Sequence, residues 1–329
     1  MKYFYLILIL YCGLTQSCNY KTDLQFPYES HIKQELMPLK GLTTPLLIDI
    51  KSSFLIMQNW KQKDSLFHIY DLNTFELKSA FGRIGEGPKE YTLPWLIRTQ
   101  LNDFVILDRQ MLQYFEINKN GQSILKKTQE PKCINSLSEA AFINDSLFVV
   151  DAQYSGPNLY LFNMQNEFPK KVWKYRNQNI VDYIIDPNMG HLYANENRIT
   201  FCYEYKKEID FMDTEFNLIK KVKFKFEKSD NSLLGSGNEN TAYTGGYLGK
   251  RYLYVIYFGT SWNQYRKNSK QKTILEVFDL DGNPVARYHL DGKSPTYFAV
   301  DEKTYTLYGA TEDGVPEDNL LVYKLKGLS

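Results

Sequence analysis

Few residues in this 329-residue chain have the type and spacing to do chemistry on their own. The four histidines are His31, His68, His191 and His289, and no two are close neighbours in sequence. Zinc sites draw ligands from short-spaced pairs, so any metal centre would have to be assembled from distant segments, and none is expected. Asp279-Leu280-Asp281-Gly282-Asn283 has the Asp-x-Asp-Gly start of a calcium loop. The distal bidentate carboxylate of that loop is missing, and a hairpin turn accounts for the run better. There is no Gly-x-Ser-x-Gly elbow. Scattered Ser, His and Asp do not make a triad without geometry. The sequence therefore assigns no catalytic residue and no cofactor.

Two clusters remain. The first is Phe81-Gly82-Arg83-Ile84-Gly85-Glu86-Gly87-Pro88-Lys89-Glu90-Tyr91. Its glycine density suits a phosphate-binding loop, but such a loop must open a helix whose N-terminus faces the phosphate. Here Pro88 and the strand-like Tyr91-Thr92-Leu93 follow. The expectation is a structural corner. Gly82, Gly85 and Gly87 would permit positive φ and close backbone approach, while Arg83 pairs with Glu90 or caps carbonyls. The second cluster is Trp262, Tyr265, Arg266 and Lys267, in a basic stretch over residues 260–273 that reads as a long loop. Long loops often bind, although charge runs also simply coat surfaces. Trp262 is expected to be solvent-accessible near an open face. Trp60, Trp95 and Trp173 are further aromatics able to line a funnel, where stacking on sugars or peptides would suit them, although most aromatics serve in cores. Nucleic acid is not an expected partner, because the net charge is only +1 and supplies no global attracting field.

The elements that would carry these residues are strands. Aromatics make up 15% of the chain, with 26 Tyr and 20 Phe, types that fit pleated, half-buried surfaces. Apolar runs begin at residues 54, 104, 147, 199, 253 and 305, a spacing of 43 to 54. A second set of strands alternates with them, as in Ile69-Tyr70-Asp71, Tyr114-Phe115-Glu116, Leu161-Phe162-Asn163, Phe211-Met212-Asp213, Val277-Phe278-Asp279 and Leu321-Val322-Tyr323. Short strands repeating at this period predict an all-β, six-bladed β-propeller of four-stranded antiparallel blades. Asn120-Gly121 and Asp281-Gly282 mark hairpin turns. The last repeat stops after its third strand. Residues 25–39 precede the first repeat and would supply the missing fourth, closing the ring and pairing an open edge. Residues 229–246, rich in Gly, Asn and Ser, read as a second long loop.

The chain opens with Lys2, an apolar run over residues 3–11, and Ser17 before Cys18. That run is too short for a membrane-spanning helix, and the layout is that of a secretory signal. It resembles a bacterial lipoprotein signal, which would make Cys18 a lipidated first residue, with an ordinary signal peptide as the alternative. The expected organisation is a signal over residues 1–17, a tether over 18–24 and the propeller over 25–329. Of the other cysteines, Cys133 and Cys202 could pair in an oxidising compartment, but the apolar surroundings of Cys202 favour a buried free thiol.

The corner around Gly82–Glu90 resembles the F-G-x-x-G-x-G-P-x-E-[FY] pattern of TolB-like six-bladed propeller lipoproteins of Bacteroidetes, and more loosely NHL-repeat propellers. The resemblance implies the fold and a bacterial cell-envelope address, with the outer membrane as the anchoring surface through Cys18. It carries over no catalytic residue. The expected role is a non-enzymatic binding or scaffold propeller for a protein, peptide or glycan partner. The alternative is a hydrolase or lyase with a site in the central channel. Fold alone does not choose between them.

Overall fold

In the computed structural model, the described residues are 25–41, 45–132, 140–151, 158–174, 185–268, 273–311, 314–316 and 318–328. The signal, the tether, Cys18, Cys133, Lys270 and Lys272 lie outside them. The N-terminal segment forms β1 (Tyr28–Lys33) and β2 (Glu35–Pro38). Blade one is β3 (Pro45–Lys51), β4 (Phe54–Asn59), β5 (Phe67–Asp71) and β6 (Leu77–Phe81). Blade two is β7 (Trp95–Ile97), β8 (Phe104–Asp108), β9 (Met111–Ile117) and β10 (Ser123–Gln129). Blade three is β11 (Ala140–Phe142), β12 (Leu147–Asp151), β13 (Asn158–Asn163) and β14 (Lys171–Lys174). Blade four is β15 (Gly190–Ala194), β16 (Ile199–Tyr203), β17 (Glu208–Met212) and β18 (Leu218–Lys223). Blade five contains β19 (Thr241–Leu248), β20 (Tyr252–Thr260), β21 (Thr273–Asp279) and β22 (Pro284–Asp291). Blade six contains β23 (Tyr297–Asp301), β24 (Thr306–Ala310) and β25 (Asn319–Lys324).

The six apolar runs of the sequence are the second strands of the blades, and the alternating set is the third strands. Second strands such as β4, β8 and β16 are buried along their whole length, because a neighbouring blade covers each face. Outer strands are half wet: β18 buries only Val222. The core therefore lies between blades. Between blades one and two, Phe104 and Phe115 stack at 5.1 Å, with Phe81 5.7 Å from Phe115. The expected hairpin turns are present, with Gly121 at φ 78° and Gly282 at φ 77°. Cys202 is free and buried.

The N-terminal segment closes the ring as expected, and does more. β2 pairs antiparallel with β25, setting Leu36 opposite Leu321, and so supplies the outer strand of blade six. β1 pairs in parallel with β22, His31 opposite His289, and becomes a fifth strand on blade five. Only Gln34 separates the two strands. Its Oε1 accepts from the Lys293 amide at 2.9 Å and the Tyr323 hydroxyl at 3.3 Å. One segment thus edges two adjacent blades.

Two loop expectations need correcting. The 260–273 stretch contains a six-residue helix, α1 (Trp262–Lys267). Ser261 caps it, accepting from the Gln264 amide at 3.2 Å, while Arg266 and Lys267 sit in its last turn, where cations complement the helix dipole. The 229–246 stretch is loop only as far as β19, which begins at Thr241. Gly245 and Gly246 lie inside that strand, beside the register shifts between Thr241 and Gly245. Glycine inside a strand often marks such an irregularity, and composition alone does not distinguish it from a loop.

Candidate functional site

The first strand of each blade faces the axis: β23 lies beside β3 and β19, and β15 beside β19 and β11. They surround a cavity of about 190 Å³ walled by Leu47, Trp95, Ile97, Ala140, Leu192 and Tyr193. Arg98 and Gln100 cross it. From blade two, Arg98 Nη1 donates to the Gly246 carbonyl of blade five at 2.9 Å and the Phe298 carbonyl of blade six at 3.3 Å. Gln100 Nε2 donates to the Leu248 carbonyl at 2.7 Å. In a ring of six, blades two and five are opposite, so these side chains form a rung across the channel. A second cavity of about 440 Å³ shares Thr99, Gln100 and Tyr247 with the first and continues to Arg251, Asp301 and Glu302.

The charges in the channel are unequal in their compensation. Lys51 is buried and pairs with buried Asp49 at 3.0 Å, and it also donates to the Thr99 carbonyl and to Thr99 Oγ1. Glu302 of blade six accepts from the backbone amides of Lys250, Arg251 and Tyr252 at 2.8 to 3.1 Å, tying blade six to a turn of blade five. Arg98 has no carboxylate partner among the described residues. Burial raises the Tyr247 hydroxyl pKa, with the Arg98 charge acting weakly against it.

His191, at the start of β15, places Nε2 3.7 Å from Glu204 Oε2. Burial lowers the imidazole to about 4, with the Arg98 charge pushing the same way. Burial raises the Glu204 carboxyl to about 7, with Glu239 adding to the rise. Between those values both groups are neutral, and His191 Nε2 makes no hydrogen bond among the described residues. Among the described residues, no three His, Cys, Asp or Glu side chains gather as a metal site would need.

At the Trp95 end of the cavity, the indole lies 6.4 Å from that of Trp60. Trp60 is 52% exposed and Leu93 56% exposed, giving this end an apolar rim. The glycine corner delivers this rim. Gly85 N donates to the Tyr91 carbonyl at 2.9 Å, and Tyr91 N to the Arg83 carbonyl at 2.8 Å. Glu90 Oε2 accepts from Gly87 N at 2.8 Å. Arg83 Nε lies 3.6 Å from Glu90 and 3.3 Å from Asp64, so the expected pair forms. Pro88 is exposed at the tip. Arg109 Nη2 donates to the Gly85 carbonyl at 3.2 Å and its Nε to Thr92 Oγ1, clamping the corner from blade two.

Positive φ holds at one of the three corner glycines, and close approach at the other two. Gly82 has φ 85°, whereas Gly85 and Gly87 lie outside the left-handed region. What they provide is space. A Cβ on Gly85 would lie 1.9 Å from Glu90 Oε2, and one on Gly87 3.0 Å from it. The folded-back glutamate, not the backbone angle, demands glycine there.

The second cluster sits apart from the channel cavities. Trp262 is half-buried, with its ring 4.6 Å from Phe258, and Tyr265 packs on the same Phe258 at 4.6 Å. Arg266 and Lys267 are exposed. Trp173 packs on Phe201. Of the four tryptophans, Trp95 lines the cavity and Trp60 flanks it. Arg98 and Gln100 escaped the sequence reading because they belong to no motif. The available signal was the polar run Arg98-Thr99-Gln100 directly after the short apolar strand Trp95–Ile97.

A ring of six blades around a bridged channel defines the class as a six-bladed propeller. The chain belongs to the TolB-like six-bladed propeller family: residues 27–303 match the family described as TolB-like 6-blade propeller-like. A solved Bacteroides fragilis protein described as exported aligns with a TM-score of 0.54 at 10% identity, covering 90% of this chain and 98% of its own. A DUF4221-family protein from Bacteroides vulgatus aligns at 0.54 and 14% identity, covering 90% and 97%. At such identities the likeness shows the fold. No curated protein matches the sequence.

Proposed function

We propose that this chain is an exported binding propeller of the bacterial cell envelope. In this reading Cys18 carries a lipid anchor and the Trp95 face of the channel receives a protein, peptide or glycan partner. The observation that carries the reading is the lining of the channel cavity at its Trp95 end: largely apolar and aromatic walls, one crossing guanidinium and backbone carbonyls, with the carboxylates Asp301 and Glu302 confined to the second cavity. Such a lining holds a ligand without offering a nucleophile or a metal. The amino-terminal layout and the description of the Bacteroides fragilis neighbour as exported support the address.

The test is affinity capture from envelope extracts with the wild-type chain and with the Trp60→Ala/Trp95→Ala double variant. A partner retained by the first and lost by the second, at equal melting temperature, is the expected result. Identical capture by both would remove the Trp95 face from the reading. Hydrolysis of peptide or glycan substrates by the purified chain, abolished by His191→Gln, would favour the enzyme instead. For the anchor, Cys18→Ala should move the protein from the membrane fraction to the soluble one.

A further inference from the structure

Resting on that reading, we propose that the channel cavity is a site for a small apolar group bearing one carboxylate, held by Arg98. Three observations carry this. A guanidinium offers five N–H donors. Arg98 commits only Nη1, to the Gly246 and Phe298 carbonyls. The Nε–H and Nη2 edge is left without a protein acceptor among the described residues, and that edge matches a carboxylate in bidentate geometry. The two carbonyls hold the guanidinium in place, so little side-chain entropy is lost on binding.

Charge selects the class of anion. Among the described residues, Arg98 is the one cation lining this cavity. The nearby Lys51 is already neutralised by Asp49. A single uncompensated positive charge suits a monoanion, whereas a phosphate dianion would want a second cation. Most of the rest of the wall is apolar, with Leu47, Trp95, Ile97, Ala140 and Leu192. Its polar members Thr99, Gln100, Tyr193 and Tyr247 are uncharged. Size sets the remainder of the ligand. A cavity of roughly 150 Å³ lined by apolar side chains holds benzene, and this one is about 190 Å³. A ring or branched chain of that bulk plus a carboxylate fills it. The same chemistry is presented by a free aryl or branched-chain acid and by the C-terminal residue of a peptide ending in Phe or Leu.

Isothermal titration of the full chain at low salt tests the site in two arms. The first compares benzoate with benzyl alcohol. The second compares acetyl-Ala-Ala-Phe as the free acid with its C-terminal amide. The expected result is at least tenfold tighter binding of the acid than of its neutral counterpart in one arm or both, and the arm that responds identifies the source. Arg98→Gln should abolish this preference. Should that variant fail to fold, Arg98→Lys keeps the charge, loses the fork, and should weaken acid binding severalfold. Ala140→Leu fills the cavity and should weaken acid and neutral ligands alike. Acid and neutral ligands binding equally in both arms, no acid binding in either arm, or an acid preference surviving in Arg98→Gln would each overturn the site. Partner capture is a separate readout: its loss in the Trp60/Trp95 variant bears on the binding reading, while the acid preference bears on Arg98.

Discussion

Glu90 reaches back so closely over Gly85 that a Cβ there would lie 1.9 Å from its Oε2, while one on Gly87 would lie 3.0 Å from it. Gly85→Ala must displace that carboxylate and its bond to Gly87 N. The obstructing atom is the movable end of a side chain, so the expected cost is about 1 kcal/mol, that of the displaced hydrogen bond. In a Glu90→Ala background the same substitution should cost about 1 kcal/mol less, because the obstructing atoms are gone. A double-mutant cycle by denaturant unfolding reads the difference; equal costs in the two backgrounds would place the reason for glycine elsewhere. Glu204 gives a second residue-scale expectation, this one in pH. Its folded pKa is raised to about 7 by burial and by Glu239, while the unfolded chain titrates near the ordinary carboxyl value. Between these values the folded state binds the extra proton, so its contribution is full at pH 4 and is lost as pH rises toward 7. The loss is on the order of 3 kcal/mol, and Glu204→Gln should remove it, leaving stability to rise with pH across that window under the opposing effect of His191. His191 has the opposite sign: its imidazole is lowered to about 4, so stability falls as pH drops from the ordinary histidine value toward 4. A wild-type profile flat from pH 4 to 7 that stays flat in Glu204→Gln would remove both expectations.

Among the elements, the short N-terminal strands bear the most on integrity. β2 completes blade six and β1 covers blade five, so deleting residues 25–39 opens two sheet edges. It also removes Leu39, which is fully buried. The lost pairing spans six positions against β22 and four against β25. At about 1 kcal/mol per backbone hydrogen bond, before burial is counted, the loss is comparable to the roughly 5–15 kcal/mol by which domains are stable. The truncated chain should melt more than 10 °C lower by calorimetry, or not fold; an unchanged melting curve would contradict closure by this segment. The role of β2 was legible because blade six lacked a strand and residues 25–39 had no other assignment. The role of β1 was not, because a parallel partner on a blade that already has four strands leaves no gap to notice. The short helix α1 was hidden for a related reason. Six residues carry less than two turns of periodicity, and Trp262, Tyr265, Arg266 and Lys267 read equally well as loop.

For the whole molecule, the ring was readable because a blade's second and third strands are buried on both faces. Runs such as Phe104–Asp108 and Ile199–Tyr203 must then be almost wholly apolar, at a period that counts blades. The channel was not readable, since its rung is built by Arg98 and Gln100 from one blade and backbone carbonyls of two others, and carbonyls leave no trace in sequence. The same ring geometry predicts an order of opening. Among the described residues, outer edges such as β10, β14 and β18 have outward amides without a strand partner, whereas β22, at the equivalent position of blade five, is covered by β1. Amide exchange reports such local differences in stability. In native-state hydrogen exchange, β10, β14 and β18 should exchange first and β22 should be protected alongside the middle strands. A chain lacking residues 25–33 should turn the outward amides of β22 fast while leaving β8 and β16 slow, because the buried strands depend on neighbouring blades and not on the edge. Protection of β22 that survives this truncation would mean that β1 rests on the blade without stabilising it, leaving β2 as the only closing strand of the ring.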